Sequence, residues 1–129
     1  MGRLLVVDDA MMMRRMIRGA AEAAGWEVVG EARNGQEGVD LYDRLRPGLV
    51  TMDVVMPEMG GLQALRLIRE IDPEARVVMV SALNQKQTIE EAIRDGALDF
   101  LVKPFDRDRL IALLGKVQAL PPSTTSPKP

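Results

Sequence analysis

The sequence predicts an α/β fold in which five helices cover both faces of a doubly wound, five-stranded parallel sheet. Short apolar runs alternate with segments of helical periodicity, so five βα units follow one another along the chain. The runs LLVV, LVTM and VVMV are apolar almost throughout, which is typical of strands covered on both faces. Right-handed crossovers between such strands place helices on both sides of the sheet.

Five strands are predicted, near residues 3–8, 27–32, 48–53, 76–81 and 98–103. The first, third and fourth contain the apolar runs and are expected at the centre of the sheet. The second, with the sequence EVVGEA, alternates more between apolar and polar residues and is expected at an edge.

Five helices are predicted, near residues 11–24, 36–45, 62–71, 86–95 and 106–118. The second has a capping-box-like start, because Asn34 stands three residues before Glu37. Asp106 is a candidate N-cap for the fifth helix.

The first predicted helix carries a stripe of apolar residues at helical spacing. Arg14, Arg15 and Arg18 lie off this stripe. We interpret the stripe as core rather than as a groove for a partner. It consists of Met13, Ile17, Ala20, Ala21 and Ala24.

A chain of 129 residues is expected to form one domain around a single core. We assign residues 1–120 to this domain. Residues 121–129, PPSTTSPKP, contain four prolines and no apolar anchor. They are predicted to be a disordered tail or the start of a linker.

The composition excludes several classes of protein. A net charge of −2 argues against a general nucleic-acid or membrane-surface binder, and no apolar run approaches the roughly 20 residues of a membrane span. The chain has no Cys and no His, which excludes thiolate chemistry, Ser/His/Asp catalysis and the usual zinc and iron ligands. Oxygen ligands remain, and they favour Mg²⁺, Mn²⁺ or Ca²⁺. The N-terminal run is too short for a secretory signal, so we expect a cytoplasmic protein.

Polar or charged residues stand where four of the apolar runs end. They are Asp8, Asp9, Asp53, Ser81 and Lys103. The carboxyl ends of parallel strands lie along one edge of a sheet, so these side chains are expected to meet there. Charged side chains are almost never fully buried unless they are paired, so the grouping favours a functional site over core packing. It predicts a divalent-metal site around one reactive aspartate.

Asp53 is the expected reactive carboxylate, positioned to attack phosphorus and form an aspartyl phosphate. Asp8 and Asp9 are the expected Mg²⁺ ligands, and the backbone carbonyl of Val55 is a further candidate. Lys103 would act as a point charge on Asp53 and on the phosphoryl group. Each feature alone is common in turns, caps or surfaces, so the prediction depends on their joint occurrence in chain order.

With these residues in hand, the chain resembles response-regulator receiver domains, most closely the single-domain CheY-like type of chemotaxis. The resemblance runs from residue 3 to about residue 118. It is carried by the motifs VVDDAMMMRRM, NGQEGVDL, TMDVVMPEMGGLQAL, VVMVSAL and GALDFLVKPF. It implies a flavodoxin-like sheet with the strand order 2-1-3-4-5.

The resemblance also implies a role for each site residue. Asp53 is then the phosphoacceptor, Asp8 and Asp9 hold Mg²⁺, and Lys103 contacts the phosphoryl group. The implied phosphodonor is a histidine kinase of the CheA type. The protein is then a phosphoacceptor with self-catalysed phosphorylation and dephosphorylation only, not an enzyme that turns over a substrate.

Signal output follows from the same resemblance. Ser81 reaches the phosphoryl group after activation, and Phe100 stands at the position of the switch aromatic. Pro104 follows the lysine in a bond that is often cis. The surface of the fourth helix, fifth strand and fifth helix then binds an output partner, such as a flagellar-motor switch protein. A monomer is expected, with a dimer on phosphorylation as the alternative.

Three positions depart from common receiver patterns. Gly60 stands where Asn or Asp is more usual, and Val55 and Leu83 are apolar where many receivers have polar side chains. Because neither apolar side chain can orient an attacking water, slow self-dephosphorylation is predicted.

Three other interpretations stay open. A haloacid-dehalogenase-type phosphatase also uses a strand-end aspartate and Mg²⁺, although Val55 replaces the second carboxylate of its DxD motif. A flavodoxin-like cofactor binder needs a donor-rich phosphate loop where this chain has Asp8 and Asp9. The chain is alternatively the receiver module of a longer regulator with a methylesterase or DNA-binding output, which a reading frame extending past Pro129 would decide.

Overall fold

The computed structural model describes residues 2–121 as five strands and five helices in strict alternation. The strands are β1 (Gly2–Val7), β2 (Trp26–Ala32), β3 (Leu49–Met52), β4 (Val77–Ser81) and β5 (Asp99–Val102). The helices are α1 (Met11–Ala23), α2 (Gly35–Leu45), α3 (Gly61–Ile71), α4 (Lys86–Arg94) and α5 (Arg107–Gln118). Every predicted element is present, and no boundary differs by more than one residue.

All five strands run parallel, in the order β2-β1-β3-β4-β5. This confirms the predicted strand order, with β2 at one edge and β5 at the other. The central strands β3 and β4 are buried at every residue, because helices cover both faces of the sheet. The predicted tail lies outside the described residues, apart from the exposed Pro121.

Two apolar cores lie on opposite faces of the sheet. On one face, α2, α3 and α4 pack against alternate strand residues such as Val50, Met52 and Met79. On the other face, α1 and α5 pack against residues such as Leu49 and Val78. The alternation of Leu49 and Val50 between the two cores follows from the two-residue period of a strand. The sheet is therefore doubly wound, as predicted.

The apolar stripe of α1 belongs to the core shared with α5. Ile17, Ala20 and Ala21 are buried, and Met13 and Ala24 pack against them while partly exposed. The interpretation of this stripe as core is confirmed.

The helix caps agree with the sequence in one case and differ in the other. The Asn34 side chain accepts a hydrogen bond from the Glu37 N–H at 2.9 Å, as predicted for the start of α2. Glu37 in return accepts from the N–H of Arg33, one residue before the position that a capping box uses. Asp106 occupies the N-cap position of α5, but the prediction that its side chain caps the helix is wrong. The N–H of Arg109 bonds instead to the main-chain carbonyl of Asp106 at 3.1 Å.

None of the helices within residues 2–121 combines the length and the apolar character needed to cross a membrane.

Candidate metal centre

Three carboxylates come together at the carboxyl edge of the sheet. One oxygen each from Asp8, Asp9 and Asp53 lies within 4.8 Å of the others. Asp8 directly follows β1 and Asp53 directly follows β3, two neighbouring strands in which Val7 is paired with Met52. Asp8 is 1% exposed and Asp53 7%, whereas Asp9 is exposed. The group is therefore a partly buried acidic pocket with one side open to solvent.

Asp8, Asp53 and Lys103 each lie one residue beyond the end of a strand, whereas the sequence placed them as the last strand residues. The difference has a simple cause. Each of the three residues still donates its main-chain N–H to a neighbouring strand, to the carbonyls of Ala32, Val7 and Ser81 respectively, and the strand pairing ends with that bond. Ser81 is the last residue of β4, as predicted.

Lys103 reaches into the acidic pocket from the edge strand β5. Its Nζ lies 3.0 Å from Asp8 Oδ2 and 3.4 Å from Asp53 Oδ2. The Lys103 side chain is 17% exposed, and the bond to Pro104 is cis. The main-chain N–H of Lys103 donates to the carbonyl of Ser81 at 2.9 Å, and this bond holds the Lys103 backbone against the end of β4.

The charge of the pocket suits a divalent cation. Burial raises the pKa of the Asp53 carboxyl above its usual value, and the negative charge of Asp8 acts in the same direction. The positive charge of Lys103 and the N–H of Val54 oppose this rise. Three carboxylates and one ammonium leave two negative charges when all are ionised, the amount that a divalent cation neutralises.

The turn after β1 holds Asp8 in two ways. Its main-chain N–H donates to the carbonyl of Ala32 at 3.0 Å, and its Oδ1 accepts from the N–H of Ala10 at 2.9 Å. The second bond is an Asx turn, the common local role of aspartate. Asp8 is therefore a turn residue and a pocket residue at the same time, because its other oxygen faces Lys103.

The segment between β3 and α3 carries Asp53 and Val55. The N–H of Asp53 donates to the carbonyl of Val7 at 3.0 Å, and the N–H of Gly61 donates to the carbonyl of Val54 at 2.8 Å. Val55, two residues after Asp53, is 59% exposed. Gly61 was missed as a site residue by sequence reasoning, although the Gly-Gly pair at 60–61 was a signal of close backbone approach.

Ser81 and Phe100 belong to β4 and β5, which follow β3 in the sheet on the side away from β1. The Ser81 hydroxyl is buried and accepts a hydrogen bond from the N–H of Leu83 at 3.2 Å. Phe100 is half-buried against the core beneath α2, α3 and α4. Phe100 also lines a shallow groove between α5 and the segment just before α4, together with Asn84, Phe105 and Arg109.

The donor set can hold a hard cation and can present a carboxylate to an electrophile. Its donors are carboxylate oxygens, which Mg²⁺ prefers, and no imidazole or thiolate ligand is available because the chain has no His and no Cys. The Lys103 ammonium beside the carboxylates could also donate a hydrogen bond to an oxygen of a phosphoryl group.

Comparison with known proteins identifies the family. The family sequence model described as the response regulator receiver domain matches residues 4–115 of this chain. The chemotaxis protein CheY of Thermotoga maritima is 49% identical over 115 residues, which cover 89% of this chain and 96% of that protein. A protein-glutamate methylesterase/protein-glutamine glutaminase of Methanococcoides burtonii is 46% identical over 105 residues, which cover 79% of this chain and 30% of that protein.

Among solved structures, the chain is similar to one described as the CheX-CheY-BeF3-Mg+2 complex of Borrelia burgdorferi. The TM-score is 0.88 at 31% identity, over 92% of this chain and 90% of that chain. The chain therefore belongs to the response regulator receiver domain family. It is a signalling receiver closely related to the CheY chemotaxis regulators, and not a conventional enzyme.

Proposed function

We propose that this protein accepts a phosphoryl group on Asp53 from a histidine kinase, with Mg²⁺ bound beside it, and thereby changes its affinity for an output partner. The observation that carries the proposal is the contact of Lys103 Nζ with both Asp8 and Asp53, in a pocket where three carboxylates lie within 4.8 Å. Pairing alone does not account for this group, because one ammonium cannot balance the charge of three carboxylates.

The chemical step is an in-line transfer between two nucleophiles. An Asp53 carboxylate oxygen attacks phosphorus, and the bond between phosphorus and the imidazole nitrogen of the kinase breaks. The electron pair of that bond returns to the imidazole ring, so the products are an aspartyl phosphate and a free histidine. The nucleophile must be ionised, and the Lys103 ammonium favours that form.

The expected metal ligands are Asp8, Asp9, Asp53 and the backbone carbonyl of Val55. Bound Mg²⁺ would compensate the negative charge on the phosphoryl oxygens, and Mn²⁺ accepts the same oxygen ligands. Lys103 would supply a further fixed positive charge next to Asp53. The side chains of Lys103 and Asp53 are largely buried, so the interaction between their charges is stronger than it would be in bulk solvent.

The output step is a shift between two arrangements of the surface formed by α4, β5 and α5. Ser81 is expected to move toward the phosphoryl oxygens, and Phe100 to turn inward. Two observations support a mobile surface there. α4 buries only Ala92 among its nine described residues, and Phe100 lies between the core and an open groove.

The proposed setting is chemotaxis in the cytoplasm, with a CheA-like kinase as donor and a flagellar-motor switch protein as target. Similarity to CheY over nearly its whole length supports this setting. The alternative is that the chain is the receiver module of a longer regulator. The methylesterase relative supports that alternative, because the matching segment is 30% of its length. A DNA-binding output belongs to the same alternative, and a dimer on phosphorylation is compatible with either.

The test is intact-mass measurement after incubation with acetyl phosphate, with and without Mg²⁺. We expect one phosphoryl adduct on the wild-type protein, dependent on Mg²⁺, and none on Asp53→Asn. Asp40→Asn is the matched control, since Asp40 is an exposed aspartate of α2 and should leave the adduct unchanged. An adduct that persists in Asp53→Asn would contradict the assignment of Asp53. Absence of any adduct on folded wild-type protein would contradict the proposed function.

A further inference from the structure

A side chain outside the acidic pocket holds the turn that carries two of its carboxylates. Arg14, in the first turn of α1, donates from Nη1 to the main-chain carbonyl of Asp8 at 2.7 Å. From Nε it donates to Glu31 Oε1 at 3.1 Å. The Arg14 side chain is only 11% exposed, unusually low for an arginine at the surface of a helix. Arg14 therefore connects the turn that carries Asp8 and Asp9 to the edge strand β2.

The far end of this bridge is itself anchored. Glu31 also accepts hydrogen bonds from Arg18, whose Nε and Nη2 lie 2.8 Å and 2.7 Å from Oε2. Burial alone would raise the pKa of Glu31, but the hydrogen bonds and charges of Arg18 and Arg14 outweigh burial and lower it. Glu31 is therefore a carboxylate at neutral pH, held by two arginines.

The carbonyl that Arg14 holds belongs to the peptide group between Asp8 and Asp9. The two carboxylates branch from the Cα atoms on either side of this peptide, so its orientation sets their position relative to each other. The Asp8 N–H is fixed by Ala32, and the main-chain N–H of Arg14 donates to the carbonyl of Ala10 at 3.0 Å. Arg14 thus fixes the oxygen of this peptide with its side chain and the end of the turn with its backbone.

We propose that Arg14 is a positioning residue for the divalent cation: through the Asp8 carbonyl and Glu31, it holds the Asp8–Asp9 peptide in the orientation that aims both carboxylates at one ion. This inference rests on the proposed function, in which both carboxylates are metal ligands. Groups that orient metal ligands without touching the metal typically change affinity by about 10- to 100-fold when removed.

The sign of the effect separates positioning from simple charge. Arg14 is positive and lies near the pocket, so its charge alone repels a cation, and removing only that charge would tighten metal binding. Loss of positioning would weaken metal binding. A substitution that removes both the charge and the hydrogen bonds therefore gives opposite results under the two explanations.

The experiment is titration of the metal alone into the purified protein. Free Mn²⁺ is followed by electron paramagnetic resonance, and Mg²⁺ is added as competitor to obtain its Kd. The variant is Arg14→Met, which keeps an unbranched apolar stem. The matched control is Arg18→Met, which also removes one positive charge and one of the two arginines that hold Glu31. Within residues 2–121, Arg18 has no hydrogen bond or ion pair with Asp8. Thermal unfolding of each metal-free protein is measured in parallel.

We expect the Mg²⁺ Kd of Arg14→Met to rise about tenfold, with that of Arg18→Met unchanged or lower. An unchanged or lower Kd in Arg14→Met, or an equal rise in both variants, would overturn the inference while leaving the proposed function intact. Absence of Mg²⁺ binding by the wild-type protein would overturn the proposed function itself. If Arg14→Met does not fold, Arg14→Lys serves in its place, because lysine keeps the charge but lacks the planar fork of donors. A wild-type Kd in folded Arg14→Lys would then overturn the inference.

Discussion

The first residue of α3, Gly61, lies against the main-chain carbonyl of Asp53. A Cβ atom at Gly61 would come 1.8 Å from the Asp53 oxygen and 2.8 Å from its carbonyl carbon. Real Cβ atoms do not approach backbone that closely, so any side chain at residue 61 displaces the segment that carries the proposed phosphoacceptor. The glycine is required by space and not by an unusual backbone angle.

Gly61→Ala is therefore expected to lower the free energy of unfolding by about 2–3 kcal/mol, the scale of an overpacked site. It should also slow phosphorylation by acetyl phosphate, because Asp53 moves. Unfolding can be followed by urea titration with the fluorescence of Trp26, the single tryptophan, which is 5% exposed.

Gly115→Ala is the matched control for this substitution. Gly115 lies inside α5, and nothing lies within 4 Å of a Cβ built there. Alanine in a helix interior should raise stability by about 0.5–1 kcal/mol relative to glycine. Equal effects of the two substitutions would contradict the steric argument.

Thr51, two residues before Asp53, carries a buried hydroxyl that has no hydrogen-bond partner among residues 2–121. A buried polar group without a partner costs about 1–3 kcal/mol. Thr51→Val replaces the hydroxyl by a methyl group of similar shape and should raise the free energy of unfolding by about 1 kcal/mol. Urea titration of Thr51→Val measures this change in the free energy of unfolding. Thr88→Val is the control, since Thr88 lies in α4 and its side chain is half-exposed. A loss of stability in Thr51→Val would mean that the hydroxyl has a partner, such as a buried water.

The main features of the site were accessible from the sequence because they depend on topology. Once the runs before Asp8 and Asp53 are assigned as central parallel strands, both aspartates must emerge at the same edge. The pairing of Val7 with Met52 places them side by side. Lys103 follows from the same reasoning applied to β5. No knowledge of side-chain packing is needed for this part.

The contribution of Arg14 was not accessible in this way. In the sequence, Arg14 is one of three arginines that lie off the apolar stripe of α1. Its partners are a glutamate 17 residues away and a main-chain oxygen. A main-chain acceptor leaves no signature in the sequence, and any of the three arginines could have reached Glu31. The prediction of a side-chain cap by Asp106 was wrong for a related reason. The main-chain carbonyl of Asp106, and not its carboxylate, accepts the hydrogen bond from the N–H of Arg109.

The ion pairs of Glu31 predict a change of stability with pH. The pKa of Glu31 lies below its ordinary value of 4.5 in the folded protein, so the folded state favours the ionised form. Stabilisation of this kind is fully present above the unfolded pKa and is lost as pH falls through the folded pKa. Glu31→Gln should therefore be less stable than wild type near neutral pH, by at most about 1 kcal/mol, as for other exposed pairs. The difference should shrink to nothing in acid, and urea titrations from neutral to acid pH test this. A difference that stays constant across the series would contradict the argument.

The two phenylalanines predict different effects on switching. Phe100 packs against the core beneath α2, α3 and α4, whereas Phe105 packs against the opposite core. Phe100→Ala should leave phosphorylation of Asp53 intact and abolish the phosphorylation-dependent change in amide hydrogen exchange of α4 and β5. Phe105→Ala is the matched control and should keep that change. Loss of phosphorylation in Phe100→Ala would contradict its assignment as a switch residue.

The side chain of residue 55 is expected to set the lifetime of the aspartyl phosphate. Val55, two residues after Asp53, is 59% exposed, and its side chain has no polar atom with which to hold an attacking water. Val55→Asn would supply an amide, and one hydrogen bond of about 0.5–1.5 kcal/mol corresponds to about a twofold to tenfold faster hydrolysis. The decay of the phosphorylated mass after removal of acetyl phosphate measures this rate. Leu98→Asn is the matched control, because Leu98 is an exposed apolar residue just before β5, at the opposite end of the sheet from Asp53. Its phosphorylated form should decay at the wild-type rate. An unchanged lifetime in Val55→Asn would mean that access of water, and not its orientation, limits the hydrolysis.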